Sequence, residues 1–166
     1  MTNNIVVSDA TPLIALEKIA NGFDFIKKVY HKILVPRQVL EEIAQKESSE
    51  SAYLLKHALH DLIEEKNPVN IAIFSENQAL DDGEKYAIAL AVEENLPILI
   101  HERKGRKVAR ELNLKVTGIA GEVLRAYKNG IIEKSEAVSL INHLYSASQI
   151  NNYVYRQIIS AINSIQ

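Results

Sequence analysis

The segment that decides the fold is Ile5-Val6-Val7-Ser8-Asp9-Ala10-Thr11-Pro12-Leu13-Ile14. It opens on β-branched residues that run without apolar–polar alternation, which predicts a short strand buried on both faces at Ile5–Ser8. Pro12 suits the first turn of a helix, because a proline there loses no hydrogen bond. The segment therefore predicts a buried strand, an acidic residue at its end, and a helix from Leu13 to about Ala20.

Outward from this segment, strand and helix patterns alternate along the chain. Alternation of this kind predicts an α/β fold with three layers, in which helices cover both faces of a central parallel sheet, with further helices at the C-terminus. Besides the first strand, we predict strands at Ile33–Val35, Pro97–Ile100 and Lys115–Thr117, with a weak candidate at Val69–Phe74. We predict helices at Phe23–Tyr30, from Pro36 through Glu42, at Ala52–Glu65, at Glu84–Asn95, from Gly105 to about Leu112, at Gly118–Lys128 and within Lys134–Ile165.

Composition narrows the class of protein. The 166 residues most simply form one domain, and 47% hydrophobic residues suit an ordinary globular core. With 19 Lys and Arg against 21 Asp and Glu, the net charge of −2 argues against binding nucleic acid through overall charge. The absence of cysteine excludes disulfides, thiolate zinc sites and cysteine nucleophiles. Neither a membrane-length apolar run nor a signal pattern is present, so we expect a cytoplasmic protein with no membrane partner.

Four acidic residues stand where strands and helices would bring them to one edge of the sheet. Asp9 and Glu102 directly follow apolar strands, and ligands of open parallel sheets bind beyond these strand ends. Glu42 and Glu84 lie on predicted helices. Carboxylates that converge from distant segments repel one another unless a cation joins them, and Mg²⁺ or Mn²⁺ suits such oxygen ligands. Such sites usually carry out phosphate chemistry.

Each of these residues also fits an ordinary structural role. Asp9 taken alone fits a helix cap, and Glu84 taken alone fits a first-turn acid that interacts with the helix dipole. Glu42 taken alone fits an exposed helix face, and Asp81 and Asp82 fit turn and cap positions. His101 fits a structural histidine. The basic residues Arg103, Lys104 and Arg106 fit a solvated run of charges.

Four motifs taken together in this order resemble the PIN domain. They are Val7–Ile14, Val35-Pro36-X-X-Val39-X-X-Glu42-Ile43, Asp82-Gly83-Glu84-X-X-Ala87-Ile88-X-Leu90-Ala91, and Ile100-His101-Glu102-Arg103-X-Gly105-Arg106-X-X-Ala109. The likeness covers roughly residues 4–132 and points to the PIN-like branch found beside small antitoxin-type genes in bacteria and archaea. It implies a parallel sheet flanked by helices, and a metal-dependent endonuclease for single-stranded RNA, often the toxin of a toxin–antitoxin pair.

The resemblance also implies roles for single residues. Asp9, Glu84 and Glu102 would hold Mg²⁺ or Mn²⁺, and Glu42 would be the fourth catalytic acid, orienting the attacking water or supporting the ligands. The basic residues beside the acids would bind the RNA backbone or offset transition-state charge. We expect substrate contacts from Thr11, His101, Arg103 and Arg106.

The sequence departs from the family pattern at His101, where the related motif usually has Asp before the final acid. A neutral imidazole suits Mn²⁺ or Zn²⁺ better than Mg²⁺, and it removes one negative charge. If His101 replaces the key ligand, catalysis should fall; if Glu102 is the ligand, the site still works. The rival to a ribonuclease is therefore a degenerate PIN domain that binds RNA or protein without cleavage. A phosphatase-like hydrolase is weaker, since no Asp-X-Asp pair or glycine-rich phosphate loop is present.

The C-terminal region extends beyond this resemblance. We predict a PIN-like domain at 1–132 and a helical extension at 133–166 that packs on the domain or on a partner. Apolar residues recur there at helical spacing, which favours a buried face. A homodimer or a small antitoxin protein would be suitable partners, and the tyrosines would pack the last helices, line a dimer seam or stack on RNA. The residues concerned are Leu140, Ile141, Leu144, Ile158, Ile159, Ile162, Tyr145, Tyr153 and Tyr155.

Overall fold

A computed structural model of the chain describes residues 4–74 and 79–166, and these contain a five-stranded parallel sheet. Its spatial order is β3-β2-β1-β4-β5, so the first strand is central. Val7 pairs with Leu34 on one side and with Ile98 on the other. The strands are β1 (Ile5–Ser8), β2 (Lys32–Val35), β3 (Ile63–Glu65), β4 (Ile98–Leu99) and β5 (Val116–Thr117).

Nine α-helices accompany the sheet within the described ranges. They are α1 (Ala10–Glu17), α2 (Gly22–Val29), α3 (Arg37–Ala44), α4 (Glu50–Lys56), α5 (Asp82–Glu94), α6 (Arg103–Glu111), α7 (Ile119–Lys128), α8 (Lys134–Ser146) and α9 (Asn152–Ser164). The predicted fold class, a three-layer α/β/α arrangement around a parallel sheet, is confirmed. The first helix begins at Ala10, three residues before the predicted Leu13, so that Pro12 lies in its first turn.

The predicted helix over Ala52–Glu65 is wrong in its second half. Helix α4 ends at Lys56, and Ala58 takes a positive φ of 53° that no helix continues. The remaining residues form β3, the edge strand beside β2. Leu59, Leu62 and Ile63 have helical spacing but are buried as part of the turn and strand. Periodicity cannot separate these two cases over so short a segment.

The weak strand candidate at Val69–Phe74 is also wrong. The segment contains a short 3₁₀ turn at Ala72–Phe74. The backbone N–H groups of Val69 and Asn70 donate to the carboxylate of Glu93 rather than to a neighbouring strand. Val69 is 95% exposed, so its β-branched side chain does not mark a buried strand.

The chain divides into two compact units, and the first contains the whole sheet. It comprises the described residues up to Leu13 together with Tyr30–Thr117. Helix α5 packs on β1 in this unit and presents a buried apolar side. The alanines on that side allow the helix to approach the strand closely. This packing brings the beginning of α5 to the carboxyl end of β1, the edge of the sheet where ligands of this fold class bind.

The second unit comprises Ile14–Val29 and Gly118–Gln166 and is helical. Helices α7, α8 and α9 pack against one another there, and Tyr145 stacks on Tyr155 with ring centroids 4.6 Å apart. The predicted domain boundary at residue 132 stays a prediction. No helix in the described part of the chain is long and apolar enough to cross a membrane. The buried apolar residues of the last two helices are Ala137, Leu140, Ile141, Leu144 and Ile162.

Candidate active site

Carboxylates from three parts of the first unit surround Gly83, in the first turn of α5. A Cβ atom placed on this glycine would lie 3.3 Å from Oε2 of Glu42, 3.4 Å from Oδ1 of Asp81 and 3.5 Å from Oδ1 of Asp9. No two of these oxygens are therefore more than about 7 Å apart, which is twice the longest of the three distances. Residues separated by more than 70 positions in the sequence thus share one small space.

The sheet and helices fix the positions of these acids. Asp9 directly follows β1, and its backbone N–H donates to the carbonyl of Leu99 at 3.0 Å, which ties it to the end of β4. Its side chain is almost wholly buried, at 3% exposure. Glu42 lies on α3, which packs against α5, and it remains more exposed. The site is therefore closed on the Asp9 side and open to solvent on the Glu42 side.

Burial and mutual repulsion make these carboxylates hard to ionise. Burial raises the pKa of Asp9 to about 7, with further increases from the charges of Asp81, Glu84 and Glu42, although the Ala10 N–H opposes the shift. Burial and the charge of Asp81 likewise raise the pKa of Glu42. Raised carboxylate pKa values of this kind are often found at functional sites.

Glu84 combines a structural contact with an unpaired oxygen. Its Oε2 accepts from the N–H of Asp81 at 3.1 Å, and Oδ1 of Asp81 accepts from the N–H of Glu84 at 2.8 Å, which forms a capping box. Its Oε1 is buried and has no hydrogen-bond partner. Burial raises the pKa of Glu84, and the charges of Asp81, Glu102 and Glu42 add to this. A buried carboxylate oxygen without a hydrogen-bond donor lowers the stability of the protein, and it remains free to bind a cation.

Glu102 and His101 are adjacent in the sequence but differ in how far they are exposed to solvent. Glu102 precedes α6, is exposed and makes no side-chain cap bond, but its charge contributes to the raised pKa of Glu84. Burial lowers the pKa of His101 to about 4, and the charge of Arg106 adds to this. The imidazole is therefore neutral at neutral pH, and it can act as a metal ligand or hydrogen-bond partner but not as a cation.

Of the predicted substrate-binding residues, Thr11, Arg103 and Arg106 lie near the beginnings of two helices, and His101 lies in the turn before α6. Thr11 is half-buried in the first turn of α1, two positions after Asp9. Arg103 is the exposed first residue of α6. Nη1 of Arg106 donates to the carbonyl of Ile100 at 2.9 Å, so this guanidinium fixes the turn between β4 and α6.

Asp81 is the acid whose position in this cluster the sequence interpretation missed. Its predicted role as a helix cap is confirmed, since α5 begins at Asp82 and Asp81 makes the capping bond. In addition its carboxylate lies beside Gly83 with Asp9 and Glu42. The sequence feature that could have indicated this position is the run Asp81-Asp82-Gly83-Glu84. A glycine within such an acidic turn leaves space for carboxylates from other segments.

The donor chemistry of this site fits a hard divalent cation. Carboxylate oxygens are the ligands that Mg²⁺ and Mn²⁺ prefer, and the unpaired Oε1 of Glu84 provides a free donor. Within residues 4–74 and 79–166, no three His, Asp or Glu side chains already stand in position to hold an ion together. Binding would therefore require side-chain rotation that draws the carboxylates together.

Comparison with known proteins identifies the family of this chain. The PIN domain family model matches residues 5–164. A solved PilT N-terminus domain protein from the hyperthermophilic archaeon Sulfolobus solfataricus P2 is similar in structure, with a TM-score of 0.45 and 16% identity over 69% of this chain and 87% of that chain. A search of curated proteins found no significant match. PIN domains are usually nucleases, which generally use divalent metals and typically bind nucleic acids. Because the family model spans nearly the whole sequence, this chain belongs to the PIN domain family.

Proposed function

We propose that this protein is a divalent-metal-dependent endonuclease that cuts single-stranded RNA in the cytoplasm, as the toxin of a toxin–antitoxin pair. The observation that carries the proposal is the group of carboxylate oxygens from Asp9, Glu42 and Asp81 around Gly83. Burial, with a smaller contribution from neighbouring carboxylates, raises the pKa values of Asp9 and Glu42, and a bound cation would favour their charged forms. Family membership supports nuclease activity, and the motif resemblance supports RNA as the substrate.

The four acids divide into three metal ligands and one base in this mechanism. Asp9, Glu84 and Glu102 would hold Mg²⁺ or Mn²⁺, and Oε1 of Glu84 is a buried oxygen that has no hydrogen-bond partner. When bound, the ion supplies positive charge that activates water and stabilises the phosphate as charge develops on it. Glu42 would orient the attacking water and accept its proton at Oε2, while the bond between phosphorus and the leaving sugar oxygen breaks and that oxygen takes a proton from solvent. Its raised pKa suits that role, because a base with a pKa closer to neutral accepts a proton more readily.

Residues at the beginnings of α1 and α6 bind the substrate. Arg103 is exposed beside Glu102 and pairs with a backbone phosphate. Thr11 and the neutral His101 provide hydrogen bonds, and Arg106 holds the β4–α6 turn that carries His101. Phosphate contacts of this kind position the RNA without reading its bases. A small antitoxin protein and a second copy of this chain are the proposed protein partners.

Cleavage of a mixed pool of single-stranded RNA by the purified protein, with Mg²⁺ and separately with Mn²⁺, tests this proposal. We expect wild type to cleave and Asp9→Asn and Glu42→Gln to lose about 100-fold or more, in line with the usual contribution of a catalytic acid or base. Glu41→Gln is the matched control, since Glu41 neighbours Glu42 but pairs with Arg37 at 2.8 Å. Cleavage that persists in Asp9→Asn would contradict the mechanism.

The second candidate is a PIN domain that binds RNA or a protein partner without cleaving. His101 favours it, because a buried neutral imidazole stands where the related motif has an acid. The same assay separates the two functions by including His101→Asp. If wild type does not cleave RNA but His101→Asp does, the protein is a nuclease fold that lost its activity at this position. Activity of wild type would leave His101 as a tolerated ligand or substrate contact.

A further inference from the structure

Helix α6 concentrates positive charge in a chain that is acidic overall. It contains one acid, Glu111, and five basic residues within nine positions, whereas the whole chain has a net charge of −2. Four of the five basic side chains are exposed, and Arg106 is half-buried. The basic residues are Arg103, Lys104, Arg106, Lys107 and Arg110.

Three of these residues form one continuous face. Arg103, Lys107 and Arg110 are spaced by four and three positions, which places them on the same side of a helix. Gly105 and Ala109, on the opposite side, are buried. We name the exposed side, made of Arg103, Lys107 and Arg110, the basic face. It is about 10 Å long at 1.5 Å per residue, and it begins immediately after Glu102.

The charges of the basic face are poorly compensated by the protein itself. Lys107 pairs with Glu111 at 3.9 Å, a long and exposed contact that contributes little. Among the residues that the structure describes, no carboxylate lies within ion-pair distance of Arg103, Lys104 or Arg110. The charge of Arg110 contributes to lowering the pKa of the neighbouring Arg106.

The position of these charges also works against helix stability. Arg103 and Lys104 occupy the first turn, where the positive end of the helix dipole disfavours cations by about 0.3–1 kcal/mol each. Arg110, in the last turn, is favoured by the same dipole, so the basic residues at the beginning of α6 are the ones that lower its stability in the free protein. A polyanion bound along the face would supply the missing countercharge.

We propose that the basic face binds the phosphate backbone of single-stranded RNA and guides it along α6 to the acids at Gly83 and Glu84. This inference rests on the proposed function for its substrate, and it adds Lys107 and Arg110 as positioning residues that do not touch the reacting phosphate. Contacts to phosphate alone carry no base specificity. The face therefore binds RNA of any sequence, with an affinity that falls steeply as salt increases.

Binding without cleavage tests the inference. Wild type in EDTA would be titrated with a fluorescein-labelled single-stranded RNA of mixed sequence, and fluorescence anisotropy would be recorded over a series of KCl concentrations. Each lost phosphate contact should reduce the slope of log affinity against log salt by about 0.7, so Lys107→Gln/Arg110→Gln should reduce it by about 1.4. Glu111→Gln should strengthen binding, because it frees Lys107 from its ion pair.

Lys27→Gln/Arg156→Gln is the matched control, as it removes one Lys and one Arg that are exposed on α2 and α9. Equal slopes for this control and the α6 variant would overturn the inference, and so would binding of poly-glutamate where RNA does not bind. In the cleavage assay the α6 variant should raise KM and leave kcat unchanged. Because the anisotropy arm needs no metal and no cleavage, it decides the inference even if the proposed nuclease activity fails.

Discussion

The beginnings of α5 and α6 differ although both lie beside Glu84. Helix α5 opens with a capping box and with Asp82 and Glu84 in its first turn, where acids interact favourably with the helix dipole. Helix α6 opens at Glu102 without a side-chain cap bond, and its first turn carries Arg103 and Lys104. The first arrangement stabilises its helix, whereas the second costs stability. The unfavourable charges at the beginning of α6 agree with the proposal that this helix binds a polyanion.

The largest expected effect concerns the pH dependence of stability caused by Asp9 and His101, the buried titrating groups near the beginnings of α5 and α6. The pKa of Asp9 rises from 3.8 to about 7 on folding, so its contribution to stability is complete below pH 3.8 and is lost as pH rises to about 7. This loss amounts to about 4 kcal/mol. The pKa of His101 falls from 6.5 to about 4, so its contribution is complete above pH 6.5 and is lost as pH falls to about 4.

Because the two dependences oppose each other, we expect the free energy of unfolding of wild type to vary less between pH 4 and 7 than that of either single variant. Asp9→Asn should lose stability on acidification, and His101→Gln should lose stability as pH rises. Urea denaturation in metal-free buffer at several pH values measures this. Asp82→Asn, an exposed acid of the α5 first turn, should keep the wild-type profile. Parallel profiles for all four proteins would contradict the prediction.

The first-turn glycines provide the next comparison. A Cβ on Gly105 would lie 2.5 Å from Cδ1 of Ile100 and 2.8 Å from Oε1 of Glu84. Gly105→Ala should therefore lower the free energy of unfolding by about 1–3 kcal/mol. Gly83→Ala has no contact closer than 3.3 Å, to the exposed Glu42 side chain, so it should change stability less. Thermal and urea denaturation measure both, and Ile100→Val should partly restore Gly105→Ala. Equal losses of stability in the two variants would contradict the prediction that the beginning of α6 is more closely packed than that of α5.

The smallest expected effect concerns Asp81, whose side chain both caps α5 and carries a negative charge. Asp81→Ala removes the side chain that accepts from the Glu84 N–H, and it should cost about 1 kcal/mol. Asp81→Asn caps nearly as well and removes repulsion with Asp9 and Glu42, so its stability should equal or exceed that of wild type. Urea denaturation at neutral pH compares the pair. An equal loss in both variants would mean that the negative charge itself stabilises the turn.

Much of the fold was predictable because its strands are short apolar runs with clear ends. Ile5–Ser8 is a strand with the predicted bounds, and the strand around Ile98 is confirmed but shorter. The edge strand β3 was missed because only Ile63 of its three residues is buried. Edge strands lack the continuous apolar pattern that central parallel strands have. Ala58 breaks α4 through a positive φ that no residue type there announces.

The candidate site was predictable in its residue types and in part of its arrangement. Asp9 and Glu84 stand out because one follows a strand and the other opens a helix, and Glu42 stands out through its motif after Val35-Pro36. Asp81 was assigned only to capping, since a sequence shows the local bond of a side chain more readily than its distant neighbours. The joint action of Asp9, Glu42, Glu84 and Glu102 on a metal stays a prediction.

The sequence by itself determined the alternation of strands and helices, the acids at their ends and the basic composition of α6, because these depend on neighbours within a few residues. Only the tertiary structure decided which acids meet. Strand order and helix packing bring Asp9, Glu42 and Asp81 to Gly83, and they bury Asp9 until its pKa is about 7. Distances and desolvation of this kind depend on contacts between residues far apart in the chain, which local patterns do not contain.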